Sequence, residues 1–159
     1  MNNCDDNPII FFDDEYFMRR ALAQAENAYR DKEVPIGAVA VQNGNIIAAA
    51  YNQVEMLKDP TAHAEILLIT QVAAVLGDWR LDNIDIYVTK KPCAMCAGAM
   101  VNARVRKVVF GMRDPRSGAA GSALNITGFK GMLHRVETVP GVLEFECKSM
   151  IQQFFQEIR

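Results

Sequence analysis

Two kinds of hydrophobic pattern alternate along the chain: the apolar period of amphipathic helices, and shorter runs of small and β-branched residues that are typical of strands. The first helical pattern predicts a helix that is capped by Asp13 or Asp14 and ends near Asp31. Residues 36–41 and 45–51 then have strand composition, and the Asn-Gly pair between them predicts a hairpin. The apolar face of the first helix holds Phe17, Ala21, Leu22, Ala25 and Ala28.

The middle of the chain predicts two helices on either side of one buried strand. An Asp-Pro-Thr turn ends at Thr61, which is the predicted cap of a helix over residues 62–76. The apolar run at residues 84–89 indicates a buried strand. Because proline favours the first turn of a helix, Pro92 predicts a third helix over about residues 92–103.

The last third of the chain predicts two strands, a loop and a terminal helix. The strands are expected at residues 106–111 and 134–139, and the turn-forming composition of residues 114–121 indicates a loop. Strands that alternate with helices are typical of an α/β layered domain. The terminal helix is predicted over residues 143–158, with an inward face formed by Leu143, Cys147, Met150, Ile151, Phe154 and Phe155.

The composition indicates one globular domain, which we expect to span residues 1–159. Half of the residues are apolar and mean hydropathy is near zero, so a full-sized core is available. No apolar run approaches membrane-spanning length, and the acidic N-terminus lacks the features of a signal peptide. We therefore expect a cytoplasmic protein with reduced cysteines, in which Cys4 is a tail thiol and Cys147 a buried small apolar residue.

Charge is distributed unevenly along the chain. The net charge of the whole chain is −2, yet residues 93–135 contain one acid, Asp114, and seven bases, which gives this segment +6. Such a segment suggests a polyanionic partner such as nucleic acid, although a solvated basic face is the simpler alternative. The bases of the segment are Arg104, Arg106, Lys107, Arg113, Arg116, Lys130 and Arg135.

The most informative pattern combines His63-Ala64-Glu65 with Cys93 and Cys96. One imidazole and two thiolates fill three corners of a zinc tetrahedron and leave the fourth to water, as in catalytic zinc sites. Zinc lowers the pKa of such a water to roughly 7, and Glu65 is placed to carry its proton to a ring nitrogen and then to departing ammonia. We expect all three ligands in the first turns of helices, where the helix dipole favours thiolates. The spacing is that of zinc-dependent nucleobase deaminases.

Each part of this pattern has another interpretation when it is taken alone. His-x-Glu occurs by chance, and Cys-x-x-Cys also forms redox pairs, although those belong to thioredoxin-like units and need no histidine. A structural zinc site would need a fourth ligand, and the candidates Cys4, Cys147 and His134 do not have zinc-finger spacing. The complete set therefore favours a catalytic zinc.

From about Asp14 to Phe155 the chain resembles the bacterial tRNA-specific adenosine deaminases (the TadA type) of the cytidine deaminase superfamily. Besides the zinc motif, the similarity covers the stretches 33–39, 59–66 and 93–100. The stretches that resemble the tRNA-acting branch in particular are 109–111, 118–122 and 134–137.

The resemblance implies a three-layer α/β fold with a central mixed five-stranded sheet flanked by helices. It also implies hydrolysis of adenosine to inosine at the first anticodon position of a tRNA, with an arginine tRNA as the expected substrate. Glu65 would be the catalytic residue, and His63, Cys93 and Cys96 would bind one Zn²⁺ per subunit. The expected assembly is a homodimer whose interface helps to form the RNA site.

The resemblance further implies which residues contact the substrate. Asn52 would hydrogen-bond the target base or its ribose, or alternatively only cap its own backbone. Asp114 would contact a neighbouring ribose, or alternatively pair with Arg113 or Arg116. The positions that match substrate-binding residues of the family are Asn52, Val34, Pro35, Ala64 and Asp114.

The chain departs from the family pattern at Lys91, where the family usually has Glu, and over residues 125–130. Two other functions stay open. One is deamination of a free base or nucleoside such as guanine or cytosine. The other is a non-catalytic RNA-binding partner, which would retain zinc and lack the glutamate, whereas Glu65 is present here.

Overall fold

The predicted hairpin forms one edge of a five-stranded sheet. In the computed structural model, which describes residues 11–121 and 124–159, β1 (Gly37–Gln42) pairs antiparallel with β2 (Asn45–Tyr51). Asn43 and Gly44 between them have φ of 50° and 76°. Because a two-residue turn with positive φ at both positions matches the twist of paired strands, this dipeptide closes the hairpin.

The remaining strands extend the sheet in the order β2-β1-β3-β4-β5. β3 (Asp85–Lys90) is antiparallel to β1, whereas β4 (Lys107–Met112) and β5 (Glu137–Pro140) continue parallel to β3. The mixed five-stranded sheet confirms the expected fold class.

Among the described residues, the helices that accompany the sheet are α1 (Asp14–Arg30), α2 (Val54–Leu57), α3 (Ala64–Leu76), α4 (Ala94–Asn102) and α5 (Glu144–Glu157). The cap of α1 is Asp13, whose carboxylate accepts a hydrogen bond from the backbone of Tyr16 at 2.9 Å, as predicted. The short α2 was not predicted, because four residues are too few to show an apolar period. None of the helices described is both long and apolar enough to cross a membrane.

Two hydrophobic clusters cover the two faces of the sheet and make three layers. Alternate residues of each strand point to opposite faces, so Val39 and Tyr87 belong to the cluster that includes α1, while Ala38 and Val88 belong to the cluster that includes α3 and α4. Cys147 of α5 is buried, as predicted, in the cluster that includes α1. The inward face predicted for α5 is confirmed for Cys147, Ile151 and Phe154, whereas Phe155 is 41% exposed.

The starts of α3 and α4 differ from the prediction. Thr61 does not cap α3, because its hydroxyl and backbone N–H both donate to Asp59 in a local turn; His63 is the cap residue instead. Likewise Pro92 lies outside α4, which has Cys93 as its cap residue. His63 and Cys93 therefore lie just before the first turns of α3 and α4, not within them as predicted. Both residues have extended backbone conformations.

Candidate active site

The structure brings His63, Cys93 and Cys96 together where α3 and α4 begin. Nδ1 of His63 lies 3.7 Å from Sγ of Cys93 and 3.6 Å from Sγ of Cys96. The three ligand atoms lie within 4.8 Å of one another. The two cysteines converge because Cys93 is the cap residue just before α4 and Cys96 is the third residue of that helix, so their side chains are three positions apart and share one face.

These distances fit a tetrahedral zinc ion. With a Zn–S distance of about 2.3 Å and a Zn–N distance of about 2.05 Å, tetrahedral angles place sulfur and nitrogen about 3.6 Å apart. The observed separations of 3.6 and 3.7 Å agree with this value. An imidazole with two thiols is also a donor set that binds zinc in preference to Mg²⁺ or Ca²⁺, which favour oxygen ligands. The group can therefore hold a zinc ion without rearrangement.

The hydrogen bond between the two thiols shifts their pKa values in opposite directions. A hydrogen bond from Cys96 lowers the pKa of Cys93 to about 5. The same bond, together with burial, raises the pKa of Cys96 above its ordinary range. A bound divalent cation supplies the positive charge that a second thiolate needs in this position.

Glu65 lies in the first turn of α3, next to this group, and its side chain is almost fully buried at 4% exposure. Burial raises the pKa of Glu65, and this effect is opposed in part by a hydrogen bond from its own backbone N–H. A carboxyl group that is poorly solvated beside a candidate metal site is suited to accept and release protons.

A cavity of about 600 Å³ opens in front of His63. Its walls come from the segment after α1, the segment around the start of α2, the start of α3, the end of β3 and the end of α5; outside α5 the lining residues are Lys32, Glu33, Val34, Ile36, Asn52, Val54, Glu55, His63, Ala64 and Lys90. Among the predicted substrate residues, Val34, Asn52 and Ala64 line the cavity, whereas Pro35 is buried beside it. The α5 side chains in the wall are Ile151, Phe154, Phe155 and Ile158.

Asn52 presents an unpaired acceptor at this cavity. Its Nδ2 donates to the Val34 carbonyl at 3.3 Å, which fixes the orientation of the amide. The Oδ1 atom is buried and accepts no hydrogen bond from the described residues. Since a buried acceptor without a partner is unfavourable, a donor from a ligand would stabilise this arrangement.

Sequence reasoning missed Glu33, which is 1% exposed and also lines the cavity. Its carboxylate accepts hydrogen bonds from the backbone N–H groups of Glu55 at 3.0 Å and Met56 at 2.6 Å. It thereby satisfies the free donors at the start of α2 and fixes that wall. No sequence pattern distinguishes Glu33 from the other acids near the end of α1, because its partners belong to a helix too short to predict.

Asp114 lies beside the cavity and does not line it. Its carboxylate accepts from the backbone N–H groups of Arg116 and Ser117 and forms an ion pair with Lys90. Although burial alone would raise it, the pKa of Asp114 is held below its usual range by hydrogen bonds from Ser117 and Lys90. The side chain of Arg113, one of the alternative partners of Asp114, forms an ion pair with Glu144.

The basic segment does not form one surface. Arg106 and Lys107, at the start of β4, both pair with Asp85. Because β3 and β4 are parallel and Cys93 follows the C-terminal end of β3, these two bases lie at the opposite ends of the strands from the candidate metal site. They therefore do not contribute to a surface beside the cavity.

The candidates for a fourth metal ligand lie elsewhere. Nε2 of His134 is 2.8 Å from the Val105 carbonyl, and Cys147 packs in the other layer of the fold. Within residues 11–121 and 124–159, no further His, Cys, Asp or Glu joins the group of three. Cys4 and Ser122, which figured in the sequence predictions, lie outside the described residues.

Comparison with known proteins identifies the class. Residues 12–159 match the family model of the MafB19-like deaminases. A solved structure from a study of A-to-I editing by tRNA A34 deaminases at the wobble position has a TM-score of 0.82 and 40% identity, covering 85% of this chain and 98% of that chain. The sheet, the family match and the His–Cys–Cys group together define an enzyme of the deaminase class with the cytidine-deaminase-like fold.

The relatives narrow the class further. The tRNA-specific adenosine deaminase of Bacillus subtilis is 48% identical over 146 residues, which are 92% of this chain and 91% of that protein. The chain belongs to the tRNA-specific adenosine deaminase family. The structure of guanine deaminase from the same organism is also similar, with a TM-score of 0.61 and 38% identity over 64% of this chain and 66% of that chain.

Proposed function

We propose that the protein hydrolyses adenosine to inosine at the wobble position of tRNA. The observation that carries the proposal is that His63 of the His63–Cys93–Cys96 group lines a cavity whose wall also includes Asn52, which has an unpaired acceptor. Relatives named for this reaction match nine-tenths of the chain. A cavity of about 600 Å³ lies within the range of roughly 300–1,000 Å³ that is usual for small-molecule sites, and is large enough to hold a nucleotide.

His63, Cys93 and Cys96 would hold the zinc ion, which when bound acts as a Lewis acid and makes water a nucleophile at neutral pH. Glu65 accepts the proton that the attacking water loses as its oxygen bonds to C6 of adenine. Glu65 delivers that proton to the ring nitrogen, then takes the second proton from the new hydroxyl at C6 and passes it to the amino group, so that the C6 carbonyl forms, the C6–N bond breaks and ammonia leaves. The balance is adenosine and water to inosine and ammonia.

The cavity walls orient the base. Asn52 Oδ1 would accept a hydrogen bond from the target nucleoside, because this acceptor has no partner among the described residues. Ala64 is the first residue of α3, where backbone N–H groups have no partner within the helix and can donate to the base. Val34 and Pro35 would shape the opposite wall, and the ribose contact of Asp114 stays a prediction.

We further propose a single deaminase domain over residues 1–159 that acts in the cytoplasm as a homodimer on an arginine tRNA. The family match over residues 12–159 and the B. subtilis relative, of which the chain covers 91%, support the domain assignment. Light scattering of the purified protein tests the dimer, and a panel of tRNAs with adenosine at the wobble position tests the substrate.

The second candidate function is deamination of free guanine, which the similarity to B. subtilis guanine deaminase favours. A substrate panel separates the two. Ammonia release from wobble-adenosine tRNA, and none from free guanine, cytosine or adenosine, is the expected result. Ammonia release from guanine alone would contradict the tRNA proposal and keep the deaminase chemistry.

A further inference from the structure

An ion pair lies between two cavities at the end of β3. Nζ of Lys90 is 3.1 Å from Oδ2 of Asp114. Lys90 lines the substrate cavity, whereas Asp114 lines a second cavity of about 570 Å³ between the end of β4 and α5. The ion pair therefore connects a residue in the wall of one cavity with a residue in the wall of the other.

The second cavity, which we name the basic groove, is lined by residues 112–116 and by Glu144, Lys148 and Gln152. Its two acids are already compensated, since Asp114 pairs with Lys90 and Glu144 pairs with Arg113. In the part of the chain that the structure describes, neither Arg116 nor Lys148 forms an ion pair through its side chain. The groove therefore retains positive charge that suits a polyanion.

Asp114 is committed to its own loop and to Lys90. Its Oδ1 accepts from the backbone N–H groups of Arg116 at 3.0 Å and Ser117 at 3.1 Å, and its Oδ2 accepts from the Ser117 hydroxyl at 2.5 Å. Lys90 has donors left for another partner, because an ammonium group has three N–H donors and the ion pair uses one.

We propose that Lys90 contacts a backbone phosphate of the RNA next to the target nucleoside, and that Asp114 is the positioning residue that holds the ammonium group there. The inference rests on the proposed function. A chain that places one nucleoside in the substrate cavity and continues along the basic groove must pass Lys90. Since phosphate contacts fix register rather than read sequence, Lys90 determines which nucleoside reaches Glu65.

The first test is the salt dependence of binding to an anticodon stem-loop by Lys90→Gln. Loss of one phosphate contact to a single strand should reduce the slope of log K against log salt by about 0.7, which is about a fivefold loss of affinity at 0.1 M salt relative to 1 M. The matched control is Arg19→Gln, which removes one exposed charge from α1 and lines neither cavity. The control should keep the wild-type slope, and an unchanged slope in Lys90→Gln would overturn the proposal.

A second measurement separates a phosphate contact from a purely structural ion pair. Stem-loops with a neutral methylphosphonate at either linkage flanking the target adenosine should bind the wild-type protein about fivefold more weakly at one linkage. Lys90→Gln should be insensitive to that substitution, and equal losses in both proteins would contradict the contact. If the wild-type protein forms inosine and Lys90→Gln keeps the wild-type slope of log K against log salt, this inference alone is wrong. If the wild-type protein forms no inosine, the proposed function is wrong.

Discussion

Asn52→Ala should separate activity from stability. The substitution deletes the hydrogen bond from Nδ2 to the Val34 carbonyl, which contributes about 1 kcal/mol to folding. It also removes the buried Oδ1 atom, whose unsatisfied burial costs about 1–3 kcal/mol in the free protein. Because Asn52 lines an open cavity, the shortened side chain leaves no sealed void. The two effects offset each other, so the free energy of unfolding should fall by no more than about 1 kcal/mol.

The same substitution should be costly for the reaction. A substrate donor that meets Asn52 Oδ1 in the wild type is left without a partner in the variant, which amounts to about 1–3 kcal/mol, or roughly a 5- to 150-fold loss in kcat/KM. Denaturant unfolding and single-turnover assays on a wobble-adenosine stem-loop measure the two effects.

The matched control for this experiment is Asn45→Ala. It deletes a similar amide-to-carbonyl hydrogen bond, from Nδ2 of Asn45 to the Asn43 carbonyl at 3.2 Å, on the exposed hairpin. The control should leave kcat/KM unchanged. An Asn52→Ala protein that lost more than about 2 kcal/mol of stability and kept its kcat/KM would refute the reasoning and make Asn52 a structural residue.

Three further outcomes follow from the same geometry. Glu65→Gln should lower kcat roughly 10²- to 10⁴-fold while zinc content and stem-loop affinity stay at wild-type levels; unchanged turnover would remove Glu65 from the chemistry. Cys96→Ala should abolish zinc binding, as measured by plasma mass spectrometry, and stoichiometric zinc in the variant would refute the ligand assignment. Gly111→Ala should reduce the free energy of unfolding by about 1–3 kcal/mol, because a Cβ there would lie 2.3 Å from Sγ of Cys147. Adding Cys147→Ala should restore part of that loss, and purely additive effects in the double variant would show that the contact is not the cause.

The sequence predicted those parts of the fold that depend on local pattern. The apolar period located α1 and α5 to within a residue or two, and Asn43-Gly44 located the hairpin. β5 begins three residues later than predicted, because the preceding segment is engaged elsewhere: His134 contacts the Val105 carbonyl and Val136 donates to Thr127. Such contacts between distant segments leave no periodic signal.

The residues of the candidate site also fall into those that the sequence predicts and those that depend on the fold. His63, Glu65, Cys93 and Cys96 were predicted from residue type and spacing alone, because zinc chemistry restricts both. The supporting residues could not be predicted, since their roles depend on partners that only the fold brings near. Glu33 is one example, and the ion pair between Lys90 and Asp114 is another.

The most direct test of the central claim is position-resolved mass spectrometry of tRNA that has adenosine at the wobble position, after incubation with zinc-loaded protein in H₂¹⁸O. The account predicts inosine at that position alone, with one ¹⁸O from solvent at C6, and none with Glu65→Ala. Inosine formed equally by the Glu65→Ala protein would contradict the proposed chemistry. Absence of inosine from the wild-type reaction, with ammonia released from free guanine instead, would contradict the proposed substrate.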